Sequence, residues 1–529
     1  MDQHRITFHR ENNPVPAQTL TIPAGTRLSE AARQAGFDLR THCGGTGTCG
    51  KCQVIVNHRK ILACQTTIES DLDVLLPDSS LRINEQNVVV QTNRHHSHES
   101  GNRDDKHSPS DPRLCGDDGV AHRTGHRYGI AVDIGTTTLA AELHDFTGKL
   151  PVQTASRANP QRQFGDDVMT RIQKVMEDMS ALTAMQQLIV GAINEMSAEL
   201  AEKMNIAPQD ISVMVAAGNT VMQSLLFGID PSSLGKRPFH APTQTFPAIL
   251  GSDIGLTMST EGTIEALPIF GGFVGGDIVA GVLTLPKLFL FTAPRFLLDI
   301  GTNGEIVFAY CGKLFTAATA AGPAFEGARI EHGTLAIPGA IEYVAIELGK
   351  IKVSTIGNEP PIGICGSGLI DAVAVLLDHG IILPSGRFAD KQSCFELVSA
   401  AESGIGKAIM LTQQDIRELQ LATGAIRAGI TLLLQESNVL PEEIAKFYVA
   451  GGFGQSIRLS SARRIGLLPP IPSDRFQFCG NTSLDGARVV LLNPDRSKIV
   501  RRIVEQSHHC ELAELPKFQE VFAESMWFR

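Results

Sequence analysis

The sequence has no long uninterrupted apolar run. Its most apolar stretch, residues 283–300, is broken by Pro286, Pro294 and two basic residues. A membrane-spanning helix needs about 20 consecutive, mostly apolar residues. The first residues, Met1 to Arg5, also lack the apolar core of a secretory signal. These two absences predict a cytoplasmic protein that has no membrane partner.

The sequence also has no excess of positive charge. It contains 46 lysines and arginines against 56 aspartates and glutamates, which gives a net charge of −10. Because nucleic-acid-binding surfaces are strongly basic, this balance argues against nucleic acid as a partner. The length of 529 residues predicts about two to four domains. A hydrophobic content of 43% with 19% charged residues is ordinary for globular domains with large cores.

Cysteine is sparse over most of the chain. Six of the ten cysteines stand singly: Cys115, Cys311, Cys365, Cys394, Cys479 and Cys510. Isolated cysteines are typical of reduced, mostly buried thiols in a cytoplasmic protein. Nothing in the sequence supports the secretion that disulfides usually accompany. The paired C-x2-C knuckles preferred by zinc are also missing, since only one such pair occurs.

The other four cysteines form the most informative pattern in the chain. Cys43, Cys49 and Cys52 have the spacing C-x5-C-x2-C, and Cys64 follows a short predicted strand pair. This spacing is close to the plant-type pattern of a [2Fe–2S] cluster, whose two irons need four thiolates. Glycines between the first three cysteines permit tight turns, so that backbone N–H groups can face the anionic cluster. We predict that these four thiolates ligate a one-electron carrier.

Residues 1–92 are predicted to form one small α+β domain. Strands are predicted at residues 6–8 and 53–56, with a short helix at 29–35 and the cysteine loop between the helix and the second strand. This order of strands, one helix and a cluster loop resembles the ferredoxin-like β-grasp fold.

The composition changes abruptly at residues 93–127. This segment holds six of the sixteen histidines, is rich in Asp, Ser, Arg and Gly, and has almost no aliphatic side chains. Because such a segment cannot bury a core, we predict a flexible linker. A metal-binding role for its histidines is the less favoured alternative.

Strand-like and helix-like segments alternate from Tyr128 onward, which predicts an α/β architecture. Strands are predicted at residues 129–133, 211–216 and 296–300, and helices at residues 166–184, 187–203 and 415–436.

Within this region an apolar strand followed by Asp-Ile-Gly-Thr occurs twice. Asp133 and Asp299 end the two strands. The turns that follow carry Gly135, Thr136, Thr137 and Thr138 in the first copy, and Gly301, Thr302, Asn303 and Gly304 in the second. Their N–H and hydroxyl groups suit phosphate oxygens, and each aspartate can hold Mg²⁺ through water. A third motif, with Gly451, Gly452 and Gly454, lets the backbone approach an adenosine closely.

These three motifs, in this order, resemble those of actin, sugar kinases and heat-shock chaperone ATPases. In that superfamily two related RNase H-like lobes clamp ATP. The resemblance implies a first lobe at residues 128–290 and a second lobe at residues 291–529. It also implies that Asp133 and Asp299 are the catalytic carboxylates that handle phosphates and Mg²⁺.

Further glycine-rich segments are candidates for the same cleft. Asn219 and Asn481 each stand in a Gly-Asn-Thr sequence before a predicted helix. Each asparagine either only caps its helix or also donates toward an anion. Asp277 is predicted to cap a helix, with a position near Mg²⁺ as the alternative. Glu326 stands in a glycine-rich loop, where it would bind ribose or polarise water.

A ferredoxin domain, a linker and an actin-like ATPase in one chain resemble the reductive activators of corrinoid-dependent methyltransferases. The resemblance implies an ATP-dependent transfer of one electron from the [2Fe–2S] cluster to a corrinoid protein, which returns inactive cob(II)alamin to cob(I)alamin. The electron would come from a low-potential donor that the sequence does not identify. A homodimer would fit the family.

Two alternatives stay open at this point. The first is an ATP-dependent iron–sulfur activator of another radical or dehydratase enzyme. The second is a redox adaptor that uses nucleotide binding only as a switch.

Overall fold

The structure is a computed structural model in which the chain divides into two compact units, Met1–Val120 and Ala121–Arg529. It describes residues 3–10, 18–35, 37, 39, 52–56, 59–77, 127–285, 288, 292–301, 303–327, 329–451 and 457–529. The predicted linker therefore lies outside the described residues, except for Arg127.

The described part of the amino-terminal unit has a five-stranded sheet and one short helix. Its elements are β1 (Gln3–Arg10), β2 (Gln18–Pro23), α1 (Leu28–Gln34), β3 (Gln53–Val56), β4 (Arg59–Leu62) and β5 (Leu72–Leu76). The strand order is β2-β1-β5-β3-β4. β1 and β5 run parallel, whereas the other neighbouring strands are antiparallel. This mixed sheet with its helix is the ferredoxin-like fold that the sequence predicted.

Alternating apolar residues explain the core of this unit. Ile6 and Phe8 are two residues apart on β1, so they point to the same face of the sheet, and both are fully buried. Ala31 and Ala32 of α1 are also fully buried and belong to the same apolar cluster. Leu28 of the same helix is also fully buried in this cluster, so the helix packs through a large side chain as well as these small ones.

The described part of the second unit contains two six-stranded sheets and two smaller ones. Its strands are β6 (Tyr128–Ile134), β7 (Thr138–Asp145), β8 (Gln153–Ala158), β9 (Ile211–Gly218), β10 (Phe246–Leu250), β11 (Thr263–Ala266), β12 (Arg295–Ile300), β13 (Gly304–Tyr310), β14 (Lys313–Thr319), β15 (Ala340–Glu347), β16 (Lys350–Thr355), β17 (Gly363–Ile364), β18 (Cys394–Val398), β19 (Ile409–Thr412), β20 (Lys446–Ala450), β21 (Phe476–Gly480) and β22 (Ser507–His509). The first large sheet has the order β10-β11-β9-β6-β7-β8, and the second has the order β21-β20-β12-β13-β14-β22. The smaller sheets are β16-β15-β17 and β18-β19.

The two large sheets repeat one topology. Each contains an antiparallel meander, β6-β7-β8 in the first and β12-β13-β14 in the second. Parallel strands continue each sheet on the other side of the first meander strand, with β9 beside β6 and β20 beside β12. The two Asp-Ile-Gly-Thr turns join equivalent strands, β6 to β7 and β12 to β13. This confirms the duplicated, actin-like α/β architecture.

The helices in the described part of the second unit cover both faces of these sheets. They are α2 (Val168–Glu177), α3 (Ser180–Lys203), α4 (Thr220–Leu226), α5 (Gly276–Thr284), α6 (Gly366–Asp378), α7 (Gln413–Glu436), α8 (Leu459–Arg464), α9 (Thr482–Leu492), α10 (Arg496–Glu505) and α11 (Phe518–Ser525). No helix of the described ranges is long and apolar enough to cross a membrane.

A central core joins the two sheets through α5 and α9. This apolar cluster includes Ala131 and Val215 of the first sheet and Leu297 and Tyr448 of the second. The two helices pack very closely, because a Cβ added at Gly486 would lie 2.4 Å from the Cα of Ala280. The equivalent halves of the duplication therefore meet through small residues.

One predicted helix boundary is wrong. The sequence pattern predicted helices at residues 166–184 and 187–203, but α2 ends at Glu177 and α3 begins at Ser180. The side chain of Asp178 accepts hydrogen bonds from the N–H and hydroxyl of Ser180, at 2.9 and 2.6 Å. This local side-chain turn competes with the helix and breaks it there.

Candidate functional site

Two of the four predicted cluster cysteines lie side by side in the amino-terminal unit. Cys52 precedes β3 and Cys64 follows β4, and these strands pair as a hairpin. The N–H of Ala63 donates to the carbonyl of Cys52 at 3.0 Å. Cys52 is 0% exposed and Cys64 is 1% exposed. Cys43 and Cys49 lie outside the described residues.

The surroundings of Cys64 suit a thiolate ligand. The amide nitrogen Nε2 of Gln65 lies 3.9 Å from its Sγ atom, and Nη1 of Arg27 donates to its carbonyl at 3.2 Å. Donors around a sulfur ligand stabilise its negative charge and tune a cluster. The two described thiols therefore fit half of a [2Fe–2S] ligand set.

In the second unit, the first Asp-Ile-Gly-Thr turn is held by an asparagine and by a threonine–glutamate contact. Nδ2 of Asn219 donates to Oγ1 of Thr136 at 3.0 Å. Oγ1 of Thr137 donates to Oε1 of Glu326 at 3.4 Å. Glu326 ends a short 3-10 turn, Pro323–Glu326. The structure thus places Glu326, a predicted site residue, at the first turn, although it and Thr137 are 189 positions apart in the sequence.

Asp133 sits at the end of β6 and is hydrogen-bonded from the carboxyl-terminal part of the chain. Its two oxygens accept from Nδ2 of Asn481 at 2.8 Å and from Oγ of Ser483 at 2.7 Å. Burial nevertheless raises the pKa of Asp133, while these two bonds lower it. The carboxylate is thus positioned but poorly solvated.

The two Gly-Asn-Thr asparagines each cap a helix and also donate a side-chain hydrogen bond, whereas donation toward a bound anion stays a prediction. Oδ1 of Asn219 caps α4 by accepting from the N–H of Met222, at 3.0 Å. Oδ1 of Asn481 caps α9 by accepting from the N–H of Leu484, at 2.9 Å. Their Nδ2 groups donate to Thr136 and Asp133, as described above. Both asparagines therefore couple a helix start to the same hairpin.

The second Asp-Ile-Gly-Thr turn closes the hairpin between β12 and β13. The N–H of Gly301 donates to the carbonyl of Asn303 at 3.0 Å, and Gly304 opens β13. Thr302 lies outside the described residues. Asp299 is the last charged residue of β12 and pairs with Glu305 across the hairpin.

Gly451 follows β20 and lies directly against the second turn. Its φ angle is +90°, which favours glycine. An added Cβ would lie 2.5 Å from the carbonyl oxygen of Ile300 and 2.8 Å from Oδ1 of Asp299. No side chain fits there, so only the backbone of Gly451 contacts the carboxylate of Asp299. Gly452 and Gly454 lie outside the described residues.

Four carboxylates form the electrostatic centre of this site. Burial together with the charge of Asp133 raises the pKa of Asp299 to about 7. Burial and the charges of Asp299 and Asp133 raise the pKa of Asp277 well above its ordinary value. Burial and the charges of Asp277 and Asp299 do the same to the pKa of Glu305. These groups repel one another, so a cation would relieve the strain.

The role predicted for Asp277 is wrong. Gly275 is the cap residue of α5, and Asp277 lies inside the first turn, where its Oδ1 accepts from the N–H of Ile278 at 2.8 Å. Its carboxylate belongs to the acidic centre instead, and a position near Mg²⁺, which was the less favoured alternative, stays a prediction. The sequence feature that could have indicated its place in the acidic centre is the Gly-Gly-Phe-Val-Gly-Gly segment before Asp277, because a flexible turn before a helix can face a cleft.

Glu305 was missed as a member of this centre. The sequence shows it directly after Asp-Ile-Gly-Thr-Asn-Gly, at the start of an apolar strand, where a 6% exposed carboxylate is unusual. Within the described ranges no three His, Cys, Asp or Glu side chains are arranged to ligate a metal directly.

Two duplicated α/β lobes with paired phosphate-type turns, and a ferredoxin-like unit, define an actin-like enzyme class that carries an iron–sulfur domain. Comparison with known families agrees. Residues 12–74 match the 2Fe-2S iron-sulfur cluster binding domain, residues 128–286 the RACo middle region, and residues 293–529 the C-terminal domain of RACo, the ASKHA domain.

Individual relatives cover between 72% and 99% of this chain. The corrinoid activation enzyme RamQ of Eubacterium limosum is 31% identical over 97% of this chain and 98% of its own length. The [Co(II) methylated amine-specific corrinoid protein] reductase of Methanosarcina barkeri is 27% identical over 72% of each chain. A solved structure of a reductive activator for corrinoid, iron–sulfur protein has a TM-score of 0.70, with 31% identity over 99% of this chain and 98% of its own. The chain belongs to the family of reductive activators of corrinoid proteins.

Proposed function

We propose that this protein reduces the cob(II)alamin of a corrinoid protein to cob(I)alamin, in a reaction that depends on ATP. One electron leaves the reduced [2Fe–2S] centre and enters the corrinoid, and a low-potential donor then restores the electron. The observation that carries this proposal is that both Asp-Ile-Gly-Thr turns and Gly451 lie at one acidic centre. The same chain has an amino-terminal unit in which Cys52 and Cys64 lie at the ends of a strand hairpin.

In the nucleotide site, the first turn would bind phosphates through its N–H groups and threonine hydroxyls. Asp133 and Asp299 would hold Mg²⁺ through water, with Asp277 and Glu305 completing a negative environment around it. This arrangement is supported by the raised pKa of each carboxyl, which a divalent cation would reverse. Gly451, with Gly452 and Gly454, would back the adenosine.

In the redox unit, Cys52 and Cys64 would supply two thiolates, and Cys43 and Cys49 the other two. The bound cluster supplies one-electron chemistry, and transfer to the corrinoid needs approach rather than an acid or base. The residues of this chain would contribute burial and the hydrogen-bond donors around Cys64. These two properties set the potential of such a centre.

ATP is needed in this account because returning cob(II)alamin to cob(I)alamin is uphill for ordinary donors. Closure of the two lobes around the nucleotide would favour a complex in which the corrinoid is easier to reduce. Such a shift requires that the closed form bind the reducible corrinoid state more tightly than the open form does.

An anaerobic reduction assay tests the proposal. The reduced full chain is mixed with Mg·ATP and a corrinoid protein loaded with cob(II)alamin, and the Co(I) absorbance band is followed. We expect Co(I) to form with Mg·ATP and not without it. Equal reduction in the absence of ATP, or no reduction with several corrinoid proteins, would contradict the proposal.

Matched cysteine variants test the electron route in the same assay. Cys64→Ser should abolish reduction while nucleotide binding persists. Cys311→Ser changes an exposed thiol of the second unit and should leave reduction unchanged. If the Cys64→Ser protein still reduces the corrinoid at the normal rate, the electron does not pass through the cysteines of the amino-terminal unit.

A further inference from the structure

A fully buried arginine lies behind the first Asp-Ile-Gly-Thr turn. Arg171 of α2 is 0% exposed. Among the described residues, its guanidinium forms hydrogen bonds but no ion pair with a carboxylate. Burying a charge without a counterion is costly, and such groups are kept where they have a partner or a task.

The contacts of Arg171 converge on the turn and its supports. Its Nη2 donates to the carbonyl oxygen of Thr136 at 2.6 Å, and its Nε to that of Gly165 at 3.0 Å. Its Nη1 lies 3.2 Å from Oε1 of Gln161 and 3.1 Å from Sδ of Met222. The guanidinium is therefore fixed from several sides.

Together with Asn159, Arg171 anchors three consecutive carbonyls of the turn. Nδ2 of Asn159 donates to the carbonyl of Gly135 at 2.9 Å, and the N–H of Asn159 donates to that of Thr137 at 2.8 Å. Arg171 holds the carbonyl between them, that of Thr136. Asn159 is itself buried, with 1% of its surface exposed.

This anchoring decides where the N–H groups of the turn point. In a trans peptide the N–H and C=O groups point in opposite directions. The N–H groups of Thr136 and Thr137 therefore face away from Asn159 and Arg171. Among the described residues, neither N–H donates to any acceptor. A hydrogen bond from a charged donor to the carbonyl also polarises the peptide, which strengthens the N–H of Thr137 as a donor.

Among the described residues, no carboxylate forms an ion pair with Arg171. Asp166, Asp167 and Glu326 attract its charge, and the positive charge of Arg162 opposes them. Burial lowers the pKa of Arg171 to about 10, so it stays protonated at neutral pH. Behind the turn there is thus a fixed positive charge, and in front of it there are two unused donors.

We propose that Arg171 is a positioning residue of the nucleotide site, which presents the N–H groups of the first turn to the phosphates of the nucleotide and balances their charge from behind. This inference rests on the proposed function, because it names the part of the ATP that the buried charge serves. It predicts that Arg171 contributes to binding the phosphates but not to binding adenosine.

Binding titrations of the full chain test this inference. The affinities for Mg·ATP, Mg·ADP and adenosine are measured for the wild type and for Arg171→Met and Arg171→Lys. We expect Arg171→Met to weaken Mg·ATP binding by about tenfold or more, since hydrogen bonds and charges directed at ionised groups are the strong ones. Adenosine affinity should stay within about twofold, and Arg171→Lys should fall between the wild type and Arg171→Met because it keeps the charge but not the fork of donors.

The outcomes separate this inference from the function on which it rests. Arg162→Met is the matched control, since Arg162 is partly exposed and pairs with Asp166 at 3.1 Å; its affinities should match the wild type. Equal loss of ATP and adenosine affinity would show a merely structural role, and an unchanged ATP affinity in Arg171→Met would also overturn the inference. If Arg171→Met does not fold, the ratio of ATP to adenosine affinity in Arg171→Lys decides. A wild type that binds no nucleotide contradicts the proposed function instead.

Discussion

The ionised carboxylates of the acidic centre lower the free energy of unfolding, because they are buried and repel one another. Asp299 has its pKa raised from 3.8 to about 7 because of burial and the charge of Asp133. The folded state therefore holds more protons than the unfolded state between those two values. Stability must fall as the pH rises across that window, because the unfolded carboxyl ionises there without penalty.

This gives a pH prediction for the metal-free protein. In the presence of a chelator, the melting temperature should fall as the pH is raised from about 5 to about 7. Asp299→Asn should reduce that slope and raise the melting temperature near pH 7 by a few degrees. Thermal denaturation at a series of pH values measures both effects. A melting temperature of Asp299→Asn below that of the wild type at pH 7 would contradict this account.

Gly451 provides a second test at the residue scale. In Gly451→Ala the new methyl group meets the carbonyl of Ile300 and the carboxylate of Asp299. We expect a loss of about 1–3 kcal/mol in stability together with weaker Mg·ATP binding. Gly349 is the matched control, because it has a φ of +76° and nothing within 4 Å of an added Cβ. Gly349→Ala should carry only the backbone penalty and leave ATP binding intact.

The sequence predicted some of these residues and not others, for a physical reason. Asp133 and Asp299 are visible because each ends an apolar strand and precedes a glycine turn, which is a local pattern. Arg171 looks like any arginine on an amphipathic helix. Its role depends on carbonyls more than 30 positions away, such as that of Thr136, and single-sequence patterns do not report such contacts.

At the scale of elements, α5 and α9 pack so closely that an added methyl group between them should destabilise the fold. These helices belong to equivalent positions of the two halves of the duplication, and their small residues let the backbones approach. Gly486→Ala should cost about 1–3 kcal/mol of stability, because its methyl group collides with the backbone of Ala280. Denaturant unfolding measures this loss.

A glycine in another helix serves as the control for that variant. Gly191 lies in α3, and a Cβ added there meets nothing within 4 Å. Gly191→Ala should stabilise the protein by about 0.5–1 kcal/mol through helix propensity alone. If Gly486→Ala stabilises the protein as Gly191→Ala does, the contact between α5 and α9 is not as tight as this structure shows.

The elements that were predicted from the sequence have a strong periodicity. β3 was predicted at residues 53–56 and spans Gln53–Val56, and the helix predicted at 415–436 spans Gln413–Glu436. The break between α2 and α3 was not predicted, since the apolar period continues past it and only the side chain of Asp178 interrupts the backbone pattern. The edge strand β22 has three residues and pairs with β14, so it has too little periodicity to be found from sequence.

At the scale of the whole molecule, one chain combines a ferredoxin-like unit with a duplicated actin-like unit. The duplication was predictable from the repeated Asp-Ile-Gly-Thr phrase, because both copies end a buried strand. The acidic centre was only partly predictable, since Asp277 and Glu305 join it through the fold rather than through a motif. The central claim is that electrons held by the first unit reach a corrinoid only when the second unit binds ATP.

Electron paramagnetic resonance of the anaerobically reduced, iron- and sulfide-reconstituted chain tests this claim most directly. The account predicts a [2Fe–2S] signal that persists when a cob(II)alamin-loaded corrinoid protein is added alone. Addition of Mg·ATP should then remove the cluster and Co(II) signals together, in a ratio of about one to one, as expected for a one-electron carrier. The account is contradicted if the reduced chain has no cluster signal, or if both signals persist in the presence of Mg·ATP.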